Sequence, residues 1–121
     1  MTGRVQDRAA LVIGAARGIG EGIAARLAEE GAKVMIADRE REAGEATAKR
    51  IGGHFVACDI ANENDVTAAV AETVRHFGGI DILVQNAGIF PWTLIENISA
   101  AEWDQVFAVN LRGTFFASRA A

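Results

Sequence analysis

A short apolar run passes directly into a glycine-rich segment near the start of the chain. The run Ala9–Gly14 continues into Gly14-Ala-Ala-Arg-Gly18-Ile-Gly20, and a helical period of apolar residues begins at once. Glycines at such a junction permit a tight turn, let backbone N–H groups approach a phosphate, and let the helix pack closely on the strand. The helix N-terminus also favours negative charge through its dipole and its unpaired N–H donors. The segment therefore predicts a strand–turn–helix unit that holds the phosphates of a nucleotide.

The glycine spacing by itself leaves two interpretations open. It is G-x-x-x-G-x-G rather than G-x-G-x-x-G, and no Lys-Ser/Thr pair comes after it, so the segment is not a P-loop. An ordinary strand-to-helix turn uses glycines in the same way. The choice between a phosphate-binding turn and a plain turn depends on residues later in the chain.

Asp38 ends the second apolar run, eighteen residues after Gly20. An acid at this point of a nucleotide-binding fold accepts hydrogen bonds from both ribose hydroxyls of an adenosine. Its charge also repels a 2′-phosphate, which predicts NAD rather than NADP as the cofactor. Arg17 and Arg39 favour NADP instead, because guanidinium groups suit phosphates. The alternative role for Asp38 is a cap for the next helix.

Four short apolar runs alternate with segments of helical period. Each run is apolar throughout rather than alternating, which indicates strands covered on both faces. The runs are Ala9–Gly14, Lys33–Asp38, His54–Asp59 and Ile80–Gln85. Regular alternation of strands and helices implies right-handed crossovers. We therefore predict an α/β fold, a Rossmann-type doubly wound parallel sheet with strand order 3-2-1-4 and helices on both faces.

Four segments show the spacing of amphipathic helices. Gly31 predicts the end of the first, Asn62 the N-cap of the third, and the capping box Ser99-Ala-Ala-Glu102 the start of the fourth. The second, Glu40–Arg50, is predicted to be an exposed helix, and the fourth a single helix on which Trp103 packs inward. The residues of the four stripes are Ile19, Ile23 and Leu27, then Ala43, Ala46 and Ile51, then Val66, Val70, Val74 and Phe77, and finally Trp103, Phe107, Asn110, Leu111 and Thr114.

The composition excludes several classes of protein. The chain of 121 residues has 12 basic and 16 acidic side chains, and this net charge of −4 argues against a general nucleic-acid binder. No apolar run approaches the roughly 18–20 residues that cross a bilayer. Cys58 is the single cysteine, so it forms no intrachain disulfide, and it is predicted to be an inert thiol within a strand. The absence of a signal-peptide pattern predicts a cytoplasmic protein. His54 and His76 lie far apart in the pattern, so we expect no metal site.

Several motifs, taken together, resemble the short-chain dehydrogenase/reductase family over essentially the whole chain. The glycine-rich segment resembles that family's cofactor loop, Asp59-Ile60 its adenine-contacting pair, and Asn86-Ala87-Gly88 its Asn-Ala-Gly motif. Asn110 is similar to the asparagine of its catalytic tetrad. The family's usual threonine and asparagine are replaced by Ile13 and Gln85, and isoleucine cannot make the steadying hydrogen bond of a threonine.

The resemblance implies a role for each matching residue. Asn110 would hold a water molecule in a proton relay, and it is the catalytic candidate. From the residues alone, Asp59 and the Asn-Ala-Gly segment are also compatible with simple turns, and Asn110 with a structural, hydrogen-bonded amide. The cofactor-binding candidates are Gly14, Ala16, Arg17, Gly18, Ile19, Gly20, Asp38, Arg39, Asp59, Ile60, Asn86, Ala87 and Gly88.

The same resemblance predicts that residues 1–121 form one dinucleotide-binding domain, cut within its last helix. The family's catalytic serine, tyrosine and lysine would lie beyond Ala121, and the chain contains no tyrosine. The next strand of the sheet would pair beside Ile82–Gln85. Without it we expect an open apolar edge that a partner covers, or a homo-oligomer if the chain is completed.

The leading hypothesis is the cofactor-binding part of an NAD-dependent oxidoreductase that moves a hydride between nicotinamide and a ketone or secondary alcohol. The substrate is a small molecule, and the loop Ile89–Asn97 is a candidate floor for its pocket. Two alternatives remain open. One is a non-catalytic dinucleotide- or partner-binding module, and the other is a methyltransferase of the same sheet type, which Asn110 and the Asn-Ala-Gly motif oppose.

Overall fold

A computed structural model describes residues 3–121, in which four parallel strands alternate with helices. The chain order is β1 (Ala9–Ile13), α1 (Gly18–Glu29), β2 (Lys33–Asp38), α2 (Arg41–Ile51), β3 (His54–Ala57), α3 (Glu63–Phe77) and β4 (Ile82–Gln85). A short 3-10 turn (Ile95–Asn97), α4 (Ala100–Phe107), a π turn (Ala108–Arg112) and α5 (Gly113–Ala120) complete it. The strand order β3-β2-β1-β4 confirms the predicted Rossmann-type topology.

Both faces of the sheet are covered, as the continuous apolar runs predicted. Successive side chains of β1 point to opposite faces, and each face has its own core cluster. Leu11 and Ile13 pack on the side of α3 and α5, whereas Ala10 and Val12 pack on the side of α1. Because β1 lies centrally, it is shielded from water along its whole length.

The register of the sheet brings the ends of all four strands to its carboxyl edge. Ile13 of β1 lies between Ala37 of β2 and Gln85 of β4, and Asp38 pairs with Ala57 of β3. The loops that leave these ends therefore meet over β1. The other side of β4 has no strand partner within residues 3–121.

Two helix caps match the sequence, whereas the start of α1 has no side-chain cap. The Asn62 side chain accepts a hydrogen bond from the Asp65 N–H at the start of α3, and Ser99 accepts one from the Glu102 N–H at the start of α4. These contacts satisfy N–H groups that have no acceptor inside the helix. At the start of α1, Arg17 provides no side-chain cap. Donors at the start of α1 therefore remain available to a ligand.

The predicted apolar stripes are partly wrong. Ile19 lies in the first turn of α1 with 76% of its surface exposed, and Val74 is also exposed. In α2 the side chain of Ala46 is exposed, whereas Thr47 and Ala48 are buried. A period of four residues drifts around a helix whose turn holds 3.6, so spacing alone does not fix which member of a stripe faces the core.

The last helical segment is not one continuous helix. Trp103, Phe107 and Leu111, which were predicted to face inward, are 58%, 42% and 62% exposed. The π turn after Phe107 adds a residue to one helical turn and so rotates the buried face of the next helical residues. As a result, α5 buries Gly113 and Ala117 instead, and it packs against α3.

His54 and His76 are neighbours, which corrects the prediction that they lie apart. Their rings stack with centroids 4.3 Å apart, because the C-terminal end of α3 returns to the edge where β3 begins. Within residues 3–121 no three His, Cys, Asp or Glu side chains are grouped so as to hold a metal ion. In the same part of the chain no helix is both long and apolar enough to span a membrane.

Candidate cofactor site

A crevice of about 220 Å³ opens at the carboxyl edge of the sheet, over the end of β1. β1 is also the point at which the strand order changes direction, and open α/β sheets bind ligands there. Predicted site residues at the ends of all four strands meet in this crevice. The residues that line it are Ile13, Gly14, Asp38, Arg39, Cys58, Ile60, Asn86, Ala87, Gly88, Ile89 and Val109.

Two glycines of the turn are required by close approaches of the backbone. A Cβ atom on Gly14 would lie 2.6 Å from the backbone nitrogen of Ala87, and Gly14 also has a φ of +81°. A Cβ atom on Gly20 would lie 2.0 Å from the carbonyl oxygen of Gly14. The first contact brings the β4 loop against the turn, and the second brings α1 against the end of β1. The turn is therefore built for close packing, as its sequence predicted.

Asp38 is fixed beside the glycine turn. Its Oδ2 atom accepts a hydrogen bond from the Ala16 N–H at 3.0 Å, and its Oδ1 atom accepts one from the Glu40 N–H at 2.9 Å. Glu40 is the N-cap residue of α2 and no side chain caps this helix, so Asp38 stabilises the loop before α2 instead of capping the helix. The carboxylate is only half-buried and lines the crevice, so it retains lone pairs for a ligand.

The two arginines of the predicted site differ in their surroundings. Arg17 forms an ion pair with Glu40, with 2.8 Å between Nη2 and Oε1, and both side chains are largely exposed. Arg39 is exposed, lines the crevice, and forms no ion pair within residues 3–121. Of the two arginines near Asp38, Arg17 is therefore held in an ion pair, whereas the side chain of Arg39 is free to move in solvent.

Thr47 supports the turn from α2, and sequence reasoning missed it. Its hydroxyl is buried and donates a hydrogen bond to the Ala16 carbonyl oxygen at 2.8 Å. The Glu21 carboxylate lies 3.2 Å from the same hydroxyl and 2.6 Å from Arg50. The sequence shows only a threonine on a helix that is predicted to be exposed. That observation does not indicate that the threonine hydroxyl binds the Ala16 carbonyl oxygen.

Asp59 and Ile60 occupy different positions in the site. Asp59 stabilises its own loop, because its Oδ1 atom accepts a hydrogen bond from the Ala61 N–H at 3.0 Å. It is absent from the crevice wall, which fits the turn-forming alternative for this residue. Ile60 is 2% exposed and does line the crevice. The loop after β3 therefore presents an apolar side chain to the crevice.

The loop after β4 is fastened to the turn and to α5 by two amide side chains. Asn86 donates from Nδ2 to the Gly14 carbonyl oxygen at 3.3 Å. Gln85 accepts a hydrogen bond from the Ala87 N–H at 2.7 Å and donates to the Thr114 hydroxyl at 2.9 Å. The glutamine that departs from the family pattern thus makes steadying hydrogen bonds. Ile13, the other departure, is buried in the crevice floor.

Asn110 lies within the π turn, and both ends of its amide are satisfied. Its Oδ1 atom accepts from the Ile89 N–H and its Nδ2 atom donates to the Ile89 carbonyl oxygen, each at 2.8 Å. The pairing fixes the loop after Gly88 against the π turn, so the structural alternative for Asn110 describes a real contact. π turns occur frequently at functional sites. Ile89 was missed from sequence, although it comes directly after the Asn-Ala-Gly motif.

A second, larger cavity of about 440 Å³ adjoins Asn110 on the side away from the glycine turn. Ile89 lines both cavities, so they are neighbours. The walls of the larger cavity are apolar except for three polar side chains. One is Asn110, and the other two are the pair Thr93 and Glu102, in which the Thr93 hydroxyl donates a hydrogen bond to the Glu102 carboxylate at 2.6 Å. Its lining is Ile89, Phe90, Pro91, Trp92, Thr93, Ile98, Glu102, Trp103, Val106, Phe107 and Asn110.

Cys58 comes after β3 rather than lying within it, and its side chain is buried at the crevice floor. Burial raises the pKa of its thiol to about 12, and the charges of Asp65, Asp59 and Asp38 act in the same direction. Thiolate, the reactive form, is therefore suppressed at neutral pH. The predicted inert thiol is consistent with this environment, and nothing in it activates a nucleophile.

We expect Cys58 to make the fold less stable in alkali. Above pH 9 the thiol of the unfolded chain loses its proton while the folded thiol keeps it, so the unfolded state is favoured. The free energy of unfolding should fall by up to about 1.4 kcal/mol per pH unit between pH 9 and 12. Urea titrations across this range, compared with Cys58→Ala, measure the effect. Equal pH slopes in the two proteins would contradict it.

The comparison with known families decides the identity. A family model described as short chain dehydrogenase matches residues 8–121. The chain belongs to the short-chain dehydrogenase family. The match includes the glycine turn, the loop after β4 and the π turn, and it favours a dehydrogenase over the methyltransferase alternative.

Curated members of the short-chain dehydrogenase family resemble the chain over nearly all of its length. A sorbitol dehydrogenase of Cereibacter sphaeroides is 40% identical over 119 residues, which cover 97% of this chain and 46% of that protein. A cyclopentanol dehydrogenase of Comamonas testosteroni is 40% identical over 123 residues, which cover 98% of this chain and 49% of that protein. The chain spans about half the length of the curated relatives it matches.

Solved short-chain dehydrogenase structures share the fold. A short-chain dehydrogenase/reductase of Brucella melitensis, described as a glucose/ribitol dehydrogenase, gives a TM-score of 0.95 at 31% identity, covering 100% of this chain and 53% of that one. A variant of a Serratia marcescens short-chain dehydrogenase/reductase gives a TM-score of 0.90 at 38% identity. The match covers 97% of this chain and 50% of that one. The likeness extends from β1 through α5.

Proposed function

We propose that this chain binds NAD at the carboxyl edge of its sheet and forms the cofactor-binding part of an oxidoreductase. The observation that carries the proposal is the carboxylate of Asp38, fixed next to the glycine turn and exposed to the crevice. The proposed reaction moves a hydride between the cofactor and a ketone or secondary alcohol. The short-chain dehydrogenase family, to which the chain belongs, supports an NAD(P)-dependent oxidoreductase as the class.

The residues present fit a dinucleotide. The turn leaves no room for a Cβ atom at Gly14 or Gly20, so its backbone can approach a pyrophosphate closely. The start of α1 lacks a side-chain cap, which leaves N–H donors and the positive end of the helix dipole for the phosphates. We propose that Ala16, Arg17, Gly18 and Ile19 complete this phosphate-binding surface, with the exposed Ile19 side chain over the cofactor.

The remaining candidates are assigned to the two ends of the cofactor. Asp38 binds the ribose hydroxyls of the adenosine. Ile60 contacts the adenine, and Asp59 supports the loop that presents Ile60. Arg39 remains on the solvent side of the same pocket. At the other end, the backbone of Asn86, Ala87 and Gly88 lies flat against the nicotinamide riboside. When bound, NAD supplies the hydride acceptor, and these residues bind and orient it.

NAD is proposed over NADP for electrostatic reasons. A 2′-phosphate would enter beside the Asp38 carboxylate, which repels it. Arg17, the basic group of the turn, already pairs with Glu40 at 2.8 Å. Arg39 alone remains to offset the repulsion.

We propose that the apolar cavity beside Asn110 receives the substrate. It contains part of the loop Ile89–Asn97, which sequence reasoning selected, and it shares Ile89 with the cofactor crevice. An alcohol or ketone substrate fits the relatives named sorbitol and cyclopentanol dehydrogenase. In this arrangement Asn110 fixes the Ile89 backbone between the two cavities and holds a water molecule for proton transfer.

The 121 residues alone are proposed to bind the cofactor without turning over a substrate. They contain no tyrosine, the residue that would exchange a proton with the substrate oxygen. We expect isothermal titration calorimetry to detect NAD binding that ADP competes for, and no heat with S-adenosylmethionine. Mixtures with NADH and cyclopentanone should show no loss of absorbance at 340 nm. Heat with S-adenosylmethionine but not NAD, or a ketone reduction abolished by Asn110→Ala, would overturn the proposal.

A further inference from the structure

We infer that Glu40 is a specificity-determining residue, which disfavours NADP by holding the Arg17 guanidinium away from a 2′-phosphate. The inference rests on the proposed function, and it concerns a residue outside the sequence motifs of the site. It begins from the Arg17–Glu40 ion pair at 2.8 Å. Asp38 alone then does not account for cofactor choice, because the turn carries a basic group suited to phosphate.

The ion pair lies directly beside the proposed ribose site. Asp38 accepts hydrogen bonds from the backbone of Ala16 and of Glu40. Arg17 is next to Ala16 in the chain, so the Arg17–Glu40 pair joins the same two segments that Asp38 joins. A ribose bound to Asp38 would therefore carry its 2′ substituent into the neighbourhood of this pair.

Glu40 acts on a 2′-phosphate in two ways. Its carboxylate accepts a hydrogen bond from Nη2 of Arg17, so Arg17 must give up this contact before both prongs of its guanidinium can bind a phosphate. Its negative charge also repels the phosphate directly. Both effects act at the 2′-phosphate, which NAD lacks. A contact of Arg17 with the pyrophosphate is common to both cofactors and cancels in the ratio of their dissociation constants.

Other charges near this position do not substitute for Glu40. Arg41 lines the same surface depression as Arg17 and Glu40, but it is engaged by Glu45 at 3.0 Å. Glu42 lies in the first turn of α2 near Arg17 and Glu40, yet it forms no ion pair among the contacts of residues 3–121. Glu42 therefore provides a matched control, since Glu42→Gln removes the same charge from the same surface and leaves Arg17 paired.

The test measures the NADP:NAD ratio of dissociation constants by calorimetry at low salt. The ratio is compared in the native chain and in an Asp38→Asn chain, which lacks the direct repulsion by Asp38. In both, Glu40→Gln should lower the ratio by about 1.5-fold to fivefold, the range expected for an exposed ion pair. Glu42→Gln should change it far less. Because Glu40 and Glu42 are exposed, their variants should retain the circular dichroism spectrum of the chain that carries them.

A double-mutant cycle identifies the group that Glu40 controls. If Glu40 acts through Arg17, the gain in NADP affinity from Glu40→Gln should disappear when Arg17→Gln is also present. The gain should also shrink as salt screens the charges. A gain that survives Arg17→Gln would assign the effect to Arg39 or to general charge and overturn the inference. So would equal ratios for Glu40→Gln and Glu42→Gln in a chain that binds NAD.

The two proposals fail in different ways. A folded native chain that gives no heat with NAD or NADP overturns the proposed function. A chain that binds NAD but keeps its NADP:NAD ratio when Glu40 is replaced overturns only the inference about Glu40.

Discussion

Gly20→Ala is expected to destabilise the fold by about 3 kcal/mol, a magnitude typical of severe overpacking. The added Cβ atom would lie 2.0 Å from the Gly14 carbonyl oxygen and 2.9 Å from Nδ2 of Asn86. Neither contact is relieved by rotating a long side chain, because one atom is backbone and the other belongs to a short, hydrogen-bonded amide. Hence α1 must move away from the end of β1. Urea denaturation monitored by circular dichroism measures the loss.

Gly22→Ala is the matched control in the same helix. A Cβ atom there meets nothing within 4 Å, and alanine has the higher helix propensity. The free energy of unfolding should rise by roughly 0.5–1 kcal/mol. Similar destabilisation by both substitutions would show that the helix, rather than the approach of Gly20 to Gly14, causes the loss.

Asp38→Asn is expected to weaken NAD binding roughly tenfold or more. Hydrogen bonds to a charged acceptor contribute more than bonds to a neutral one, and an amide replaces one acceptor oxygen with a donor. NADP affinity should fall less, or rise, because the repulsion of the 2′-phosphate disappears. The two dissociation constants are measured by calorimetry on the same protein.

Asp104→Asn serves as the control for charge. Asp104 is exposed on α4 and lines neither the crevice over β1 nor the apolar cavity. Its replacement removes the same charge and should leave the dissociation constants for NAD and NADP close to those of the native chain. If Asp38→Asn has no larger effect on NAD than Asp104→Asn, the ribose assignment is wrong.

The strands are predictable from local patterns in the sequence, and their order follows from the Rossmann-type fold that the glycine turn and Asp38 indicate. Lys33–Asp38 was predicted with the bounds that β2 has, because an apolar run flanked by polar residues defines a buried strand. The other three runs were each predicted one or two residues too long. Strand ends are set by the loops that leave them. For example, the chain leaves β1 at Gly14, where the backbone of Ala87 approaches closely.

Features that depend on packing between distant segments were not predictable. The π turn at Ala108–Arg112 has no signature in a helical pattern, and it changes which residues of α5 are buried. The stacking of His54 on His76 can be predicted only if the direction in which α3 returns to the sheet is known. The periodicity of apolar residues describes one helix at a time, so it indicates neither the π turn nor the direction of α3.

The candidate site was predictable where its residues lie at strand ends. Gly14, Asp38 and Asn86 stand at the ends of three different strands, and the parallel topology brings them into one crevice. The supporting contacts are less accessible to sequence reasoning. Thr47 reaches the turn from another helix, and Gln85 joins Thr114, a partner 29 residues away.

The most direct measurement is a map of backbone amide chemical shifts in the ¹⁵N-labelled chain as NAD is added. We predict that shifts change at residues 14–20, at Asp38 and Arg39, and at residues 86–88, with smaller changes elsewhere. Gly18, Ile19 and Gly20 should respond to ADP as well, since the phosphates bind there. A folded chain whose spectrum is unchanged by NAD, or whose changes cluster on the exposed face of α4 and α5, would contradict the proposed cofactor site.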